Sequence, residues 1–335
     1  MPWELDPMLL RASRQGLDLF LSENRTPFLK GRGRLEPITS GEFIERDTLY
    51  PLLKSQMDSK ARDAWTRQGC CRFRWQSAIG NFRVDLGRES QGLMAMFRPV
   101  LSKLPTLDVL KVPVGVKSLL ALRSGLILFC GPGSSGITTL SAAFTSALCE
   151  ATALRVRILD ADPEWLVPAG KSFLVRGVPN QNLMGDIQSS LSAGTDLFVF
   201  GDIVAPQIEE VLTACSSGAL VLANMRASSS VHALERVLTE NSALVRVLRA
   251  VVFCHLLPSE NADELIPVWD VLLGNRAVIQ ALESQELQKL PQIQKSYSNE
   301  GMQNLDESLS LLVSQSRISK KDAKMWAHEP QRFES

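Results

Sequence analysis

GLILFCGPGSSGITTLSAAF, residues 125 to 144, passes from an apolar strand through a turn of glycine and serine into a helix. That succession builds a phosphate-binding loop when it follows G-x-x-x-x-G-K-S/T. Backbone N–H groups then wrap the phosphates, a helix N-terminus faces them, a lysine adds charge and a hydroxyl holds magnesium. Gly131, Gly133, Ser134, Ser135 and Gly136 supply the backbone part here, and Thr138, followed by Thr139, supplies the hydroxyl. The lysine position holds Ile137. A hydrogen bond to a charged group contributes about 1.5–3 kcal/mol, so loss of the lysine is expected to weaken triphosphate binding roughly ten- to a hundredfold without forbidding it. Read alone, the loop fits weak binding and an inherited strand–turn–helix kept for packing equally well.

Around the loop, buried strands alternate with helices in LILFCG, VRILDADP, DLFVFGD, GALVLANM and AVVFCHLL. Continuous apolar runs of this kind predict a parallel sheet covered on both faces, so residues 118–273 read as an α/β domain. Residues 1–100 mix short helical and strand signals, among them LDLFL, CRFRW, NFRVDLG and LMAMFRPV, and read as a small α+β domain with a mostly antiparallel sheet. A connector over 101–117 carries Pro105 and Pro113, and only helical patterns follow in 274–335.

The 335 residues carry 36 Lys+Arg against 36 Asp+Glu, which removes the net basic field that non-specific nucleic-acid binding needs. No nucleic-acid partner is expected. Apolar runs such as Leu126 to Cys130 are far shorter than the roughly 20 residues that span a bilayer, and MPWELDPMLLRASRQG lacks the pattern of a secretory signal; a cytoplasmic location is expected. The 6 cysteines include no C-x-x-C pair and there are 3 histidines, which argues against a zinc site and for small core residues in a reduced compartment. His232 and His255 are read as structural, and the vicinal Cys70 and Cys71 are not read as a redox pair.

Taken together, the segments resemble the type IV pilus retraction ATPase family, the PilT-like branch of the secretion ATPases. LDLFL resembles that family's S-D-L-H-L, FRVDLGRESQGLMAMFR its F-R-V-N stretch ending in V-F-R, and LRAVVFCHLL its L-R-A-V-I-S-Q-x-L. GMQNLDESLSLLVSQSRIS resembles the tail pattern G-M-Q-T-L-D-x-x-L-x-x-L-V-x-x-G-x-I-S. The resemblance implies a PAS-like N-terminal domain, a RecA-like ATPase domain and C-terminal helices, working as hexameric rings at the cytoplasmic base of the pilus.

Several of the family's functional positions are changed. In the acidic box I-E-D-P-x-E, here DADPEW, the resemblance puts Ala161 where a glutamate polarises the attacking water; Asp162 and Pro163 remain and Trp165 replaces the second glutamate. A positioned general base contributes roughly a hundred- to ten-thousandfold, so hydrolysis is expected to be nearly silenced. Asp160 and Glu164 are poor substitutes if the stretch is a strand, because neighbours face opposite sides. The magnesium-side strand VFGDIVA keeps a carboxylate in Asp202 but has Val204 and Ala205 in place of an arginine and an aspartate. In the histidine box, GALVLANMRASS, Ala219 and Arg226 replace both histidines, and the motif tied to retraction appears as AVIQAL with Ile279 at its arginine. Arg83 and Arg98 match two arginines that reach phosphates in the family, the intervening one being Gln91; pairing with carboxylates such as Asp85 or Glu89 is an equal alternative.

The expected function is therefore a degenerate, PilT-like pseudo-ATPase that scaffolds or regulates a pilus motor. Vestigial catalytic candidates are Asp162 and Asp202, with Thr138 and Asp202 as ligands for any magnesium. ATP and magnesium are expected to bind weakly if at all. The expected partners are its own copies in a ring or active motor subunits, at the cytoplasmic face of the inner-membrane pilus platform. A slow retraction ATPase and a nucleotide-independent interaction module are the alternatives.

Overall fold

The computed structural model describes residues 4–31, 34–38, 43–100, 103–160, 163–177, 179, 182–204, 207–260 and 264–334. It divides into two compact units, Met1–Lys103 and Leu104–Ser335.

In the first unit six strands, β1 (Asp18–Ser22), β2 (Phe28–Gly31), β3 (Arg34–Pro37), β4 (Cys70–Ser77), β5 (Gly80–Glu89) and β6 (Gly92–Val100), form one sheet in the order β3-β2-β1-β6-β5-β4. Every pairing is antiparallel. Alternation along the strands sends Cys71, Phe73 and Trp75, then Phe82, Val84 and Leu86, to the buried face. There they join Leu5, Met8, Leu9 and Ala12, one stripe of the helix Leu5–Gln15, and Ala61 and Trp65 of the helix Ser59–Gln68. The second of these helices starts where Asp58 accepts from the Ala61 N–H at 2.7 Å, a side-chain cap on an otherwise open N-terminus.

The second unit is built on β7 (Gly125–Gly131), β8 (Arg155–Leu159), β9 (Phe173–Gly177), β10 (Leu197–Asp202), β11 (Leu220–Arg226), β12 (Leu248–Pro258) and β13 (Leu265–Leu273), in the order β13-β12-β7-β11-β10-β8-β9. All neighbours are parallel except the β12–β13 pair. The central β7 is buried at every residue, as its unbroken apolar run predicts. One face packs the helix Ile137–Ala151 through Ile137, Leu140, Phe144 and Leu148; the other packs the helices Ile208–Ser216 and Ser230–Glu240 and the C-terminal helices. The sheet is thus covered on both sides as expected. The edge strands β9 and β13 have no counterpart in the sequence reading. Leu107, Val112 and Val116, from the stretch read as a connector, are buried in the core of this unit.

In the tail, Met302, Leu305, Leu309, Leu312 and Ile318 are buried, which accounts for the spacing of GMQNLDESLSLLVSQSRIS as a packed helix face. The buried Asp306 carboxylate accepts the backbone N–H groups of His328 and Glu329 at 2.8 and 2.9 Å and so fixes the chain beyond the helix Lys320–Trp326. Trp326 of that helix lies on the ring of His255 at 3.8 Å between centroids. Burial lowers His255 from its ordinary 6.5 to about 4, so the ring is neutral in the fold. Below pH 6.5 the unfolded chain takes up the proton first, so the stability that His255 confers above that pH is lost as pH falls toward about 4. Thermal melts from pH 7 to 4 are expected to show that decline and His255→Phe to flatten it; an unchanged slope would assign it to other groups.

Candidate functional site

The phosphate loop lies between β7 and the helix Ile137–Ala151, and two features fix its path. Gly136 caps the helix at φ 85°, and Ser134 takes φ 62°, in the left-handed region that non-glycine residues seldom enter. Gly131 has β12 directly above it: a Cβ there would sit 2.3 Å from the carbonyl oxygen of Cys254, so only glycine fits. Gly133 and Ser134 are exposed at the rim and Ser135 is buried beneath it. Ile137 is 7% exposed and packs with Leu140, Phe144 and Phe129. The side chain that stands at the lysine position therefore serves the core rather than adding charge to the loop.

Beside the loop is a cleft lined by Thr138, Ser141, Asp160, Glu164, Trp165, Gly201 and Asn224, with about 30 Å³ of space. That is room for one water molecule and an order of magnitude below the roughly 300–1,000 Å³ of a small-molecule site. Trp165 contributes to the closure: its indole packs against the same core as Ile137, and its Nε1–H donates to Thr139 Oγ1 at 3.1 Å. β8 ends at Leu159, so Asp160 and Glu164 both lie outside it and the opposite-faces argument against them, which assumes a strand, does not apply. Both residues line the cleft, and the Asp160 carboxylate lies against Gly201, its Cγ 2.8 Å from where a Cβ would stand. Ala161, Asp162 and Ala205 lie outside the described residues.

Asp202, expected from the resemblance to be the metal-side carboxylate, is held by Arg226: Nε donates to Oδ2 at 2.6 Å. The two groups come together because β10 and β11 are adjacent and parallel, with Asp202 opposite Asn224 two residues before Arg226. Both side chains are exposed, at 46% and 72%, so the pair adds only about 0–1 kcal/mol to stability. Its chemical effect is larger than that figure implies. The guanidinium engages Oδ2 of Asp202, so a magnesium ion would have to compete with Arg226 for that carboxylate oxygen. Among the described residues no group of three or more His, Cys, Asp and Glu is placed to hold a metal ion.

Other candidate residues are placed elsewhere. In the first unit Arg74, Arg83 and Arg98 are successive cross-strand partners on β4, β5 and β6. Like charges in register repel, and carboxylates offset them: Asp85 lies 3.7 Å from Arg83, and Asp18 takes both Nε and Nη2 of Arg98, the latter at 2.8 Å. Arg98 thus pairs with Asp18. Ala219 is buried just before β11, and Ile279, half-buried on the helix Arg276–Glu283, packs against the core instead of presenting a surface motif. His232 caps locally, its Nδ1 2.9 Å from Ser228 Oγ. Cys71, Cys130, Cys149, Cys215 and Cys254 are buried and Cys70 exposed.

Sequence reasoning missed one polar cluster. Asp270 on β13 is buried and accepts from Ser230 Oγ and Gln294 Nε2, while Gln294 also donates to the carbonyl of Gln303 at 3.0 Å. Burial pushes its carboxyl above the usual range, against the opposing pull of those two hydrogen bonds. The cluster joins the N-terminus of the helix Ser230–Glu240 to the C-terminal helices. An aspartate inside the apolar run LIPVWDVLL was the signal available in the sequence.

No family model matches the chain. A Pseudomonas aeruginosa protein described as type IV pilus ATPase PilU is 24% identical over 328 residues, covering 94% of this chain and 86% of that one. The P. aeruginosa type IV pilus retraction ATPase PilT is 23% identical over 344 residues, covering 98% of this chain and 100% of its own length. Over nearly its whole length the chain is similar to type IV pilus ATPases. The fold agrees: a crystal structure of the pilus retraction motor PilT with bound ADP superposes with a TM-score of 0.80 at 20% identity, covering 98% of each chain. The chain is an α/β protein with a mostly parallel-sheet domain of RecA-like fold that follows an N-terminal α+β domain in the sequence. Among its described residues no helix is long and apolar enough to cross a membrane.

Proposed function

We propose that the chain is a pseudo-ATPase of a type IV pilus or twitching-motility system, a motor-shaped subunit that scaffolds or regulates the pilus motor without driving it. The observation that carries this reading is the Asp202–Arg226 pair, a carboxylate for magnesium neutralised by the chain's own guanidinium. The burial of Ile137 and the small cleft under Trp165 point the same way. ATP and magnesium bind weakly on this reading. The chain assembles into a ring, a hexamer of its own copies or one mixed with active motor subunits, in the cytoplasm at the face of the inner-membrane pilus platform. Arg83 and Arg98 serve as partners of Asp85 and Asp18. A second reading, a slow retraction ATPase, draws on Asp160 and Glu164, which line the cleft beside Thr138 and could orient a water there.

Sizing tests the scaffold role. The purified chain, alone and mixed with an active retraction motor, is expected to form ring-sized particles whose population is the same with and without magnesium–ATP. A chain that stays monomeric in every mixture would contradict it.

A further inference from the structure

We propose that the loop binds a polyphosphate chain without a divalent metal, and that Arg226 is the cation the loop itself lacks. The proposal rests on the pseudo-ATPase reading and specifies the ligand of that site. Arg226 is the cross-strand partner of Gly131, the first residue of the loop, and the next N–H, of Ala227, donates to the Gly131 carbonyl at 3.1 Å. Alternation along β11 places Arg226 on the same face as Leu220 and Leu222, which pack in the cluster that holds Ile137 and Leu140. The guanidinium therefore rises on the loop's side of the sheet. It is 72% exposed, and its contact with Asp202 runs through Nε. A planar guanidinium suits two phosphate oxygens at once, which a lysine ammonium does not.

The rest of the cradle is in place. The helix Ile137–Ala151 has 15 residues and no side-chain cap, so the N–H groups of its first turn face the loop. Ser135 is buried at 1% exposure, and its Oγ is turned in against Gly131, 2.5 Å from where a Cβ there would sit. That hydroxyl has no hydrogen-bond partner among the described residues. Magnesium would compete with Arg226 for the phosphate oxygens, so it adds nothing to this arrangement. An ATPase shows the opposite dependence.

Titration calorimetry on the full chain with ATP, ADP and inorganic pyrophosphate, in EDTA and then in magnesium, tests the proposal. Binding is expected in EDTA at about 10 μM to 1 mM, with no gain on adding magnesium. Arg226→Ala is expected to weaken it at least about tenfold, Arg226→Lys to retain most of it, and Asp202→Asn to strengthen it by freeing the guanidinium. Equal affinity for pyrophosphate and ADP would assign the ligand as the phosphate chain alone; ADP tighter by tenfold or more would assign it as a nucleotide. Both side chains are exposed, and unchanged melting of each variant confirms folding. Absence of binding in EDTA, or binding indifferent to Arg226→Ala, overturns the proposal and leaves the pseudo-ATPase reading standing. Magnesium-dependent turnover by the parent chain would instead bring down that reading.

Discussion

The combined variant Ile137→Lys, Ala161→Glu, Arg226→His is expected to hydrolyse magnesium–ATP at least about a hundredfold faster than the parent chain, measured as phosphate release. Each substitution returns one element. The lysine restores a charged hydrogen bond to the phosphates, about 1.5–3 kcal/mol. Its stem can stay against Leu140 and Phe144, where Ile137 now packs, while the ammonium reaches the loop. The glutamate restores a carboxylate to polarise water, the largest share of the rate. Removing the guanidinium frees Asp202, now held at 2.6 Å, for the metal. The double variant that keeps Arg226 is therefore expected to fall short of the triple by about tenfold, an amount comparable to one charge-assisted hydrogen bond. Equal rates for the two would show that the Asp202–Arg226 pair does not hinder magnesium.

Phe144→Ala is expected to destabilise the second unit by about 3–5 kcal/mol and to lower its melting temperature by about 10 °C. Phe144 is fully buried on the helix behind the loop, edge-on to Phe129 of β7 at 5.6 Å between ring centroids. The helix presses on the sheet through this pair, and truncation opens a cavity that neighbouring strands, tied by hydrogen bonds, cannot close. Denaturant unfolding checks the value. A loss under about 1 kcal/mol would mean that the helix and β7 can collapse onto each other, and that packing does not hold the loop in place.

Much of this architecture can be read from residue order alone because the central strands are apolar on both faces: LILFCG, DLFVFG and LVLANM admit few places other than the middle of a parallel sheet. β9 escapes such reading because FLVRG is short and largely exposed, and β13 because LIPVWDVLL continues a hairpin whose turn region gives a weak signal. At the site, the changed positions are legible one at a time, as Ile137 or Arg226 against a motif. Their mutual arrangement is not. That Arg226 meets Asp202, and that Trp165 reaches Thr139, depends on which strands are neighbours and on where the acidic box leaves β8, and spacing along the chain encodes neither. The same holds for Asp270, whose partners Ser230 and Gln294 lie 40 residues before and 24 after it.

Turnover by the parent chain tests the central claim most directly: purified protein, millimolar magnesium–ATP, and phosphate release followed beside an active pilus retraction motor at equal concentration. The account predicts a rate indistinguishable from buffer and unaffected by Asp202→Ala. A rate comparable with that of the motor, abolished by Asp202→Ala, would contradict it.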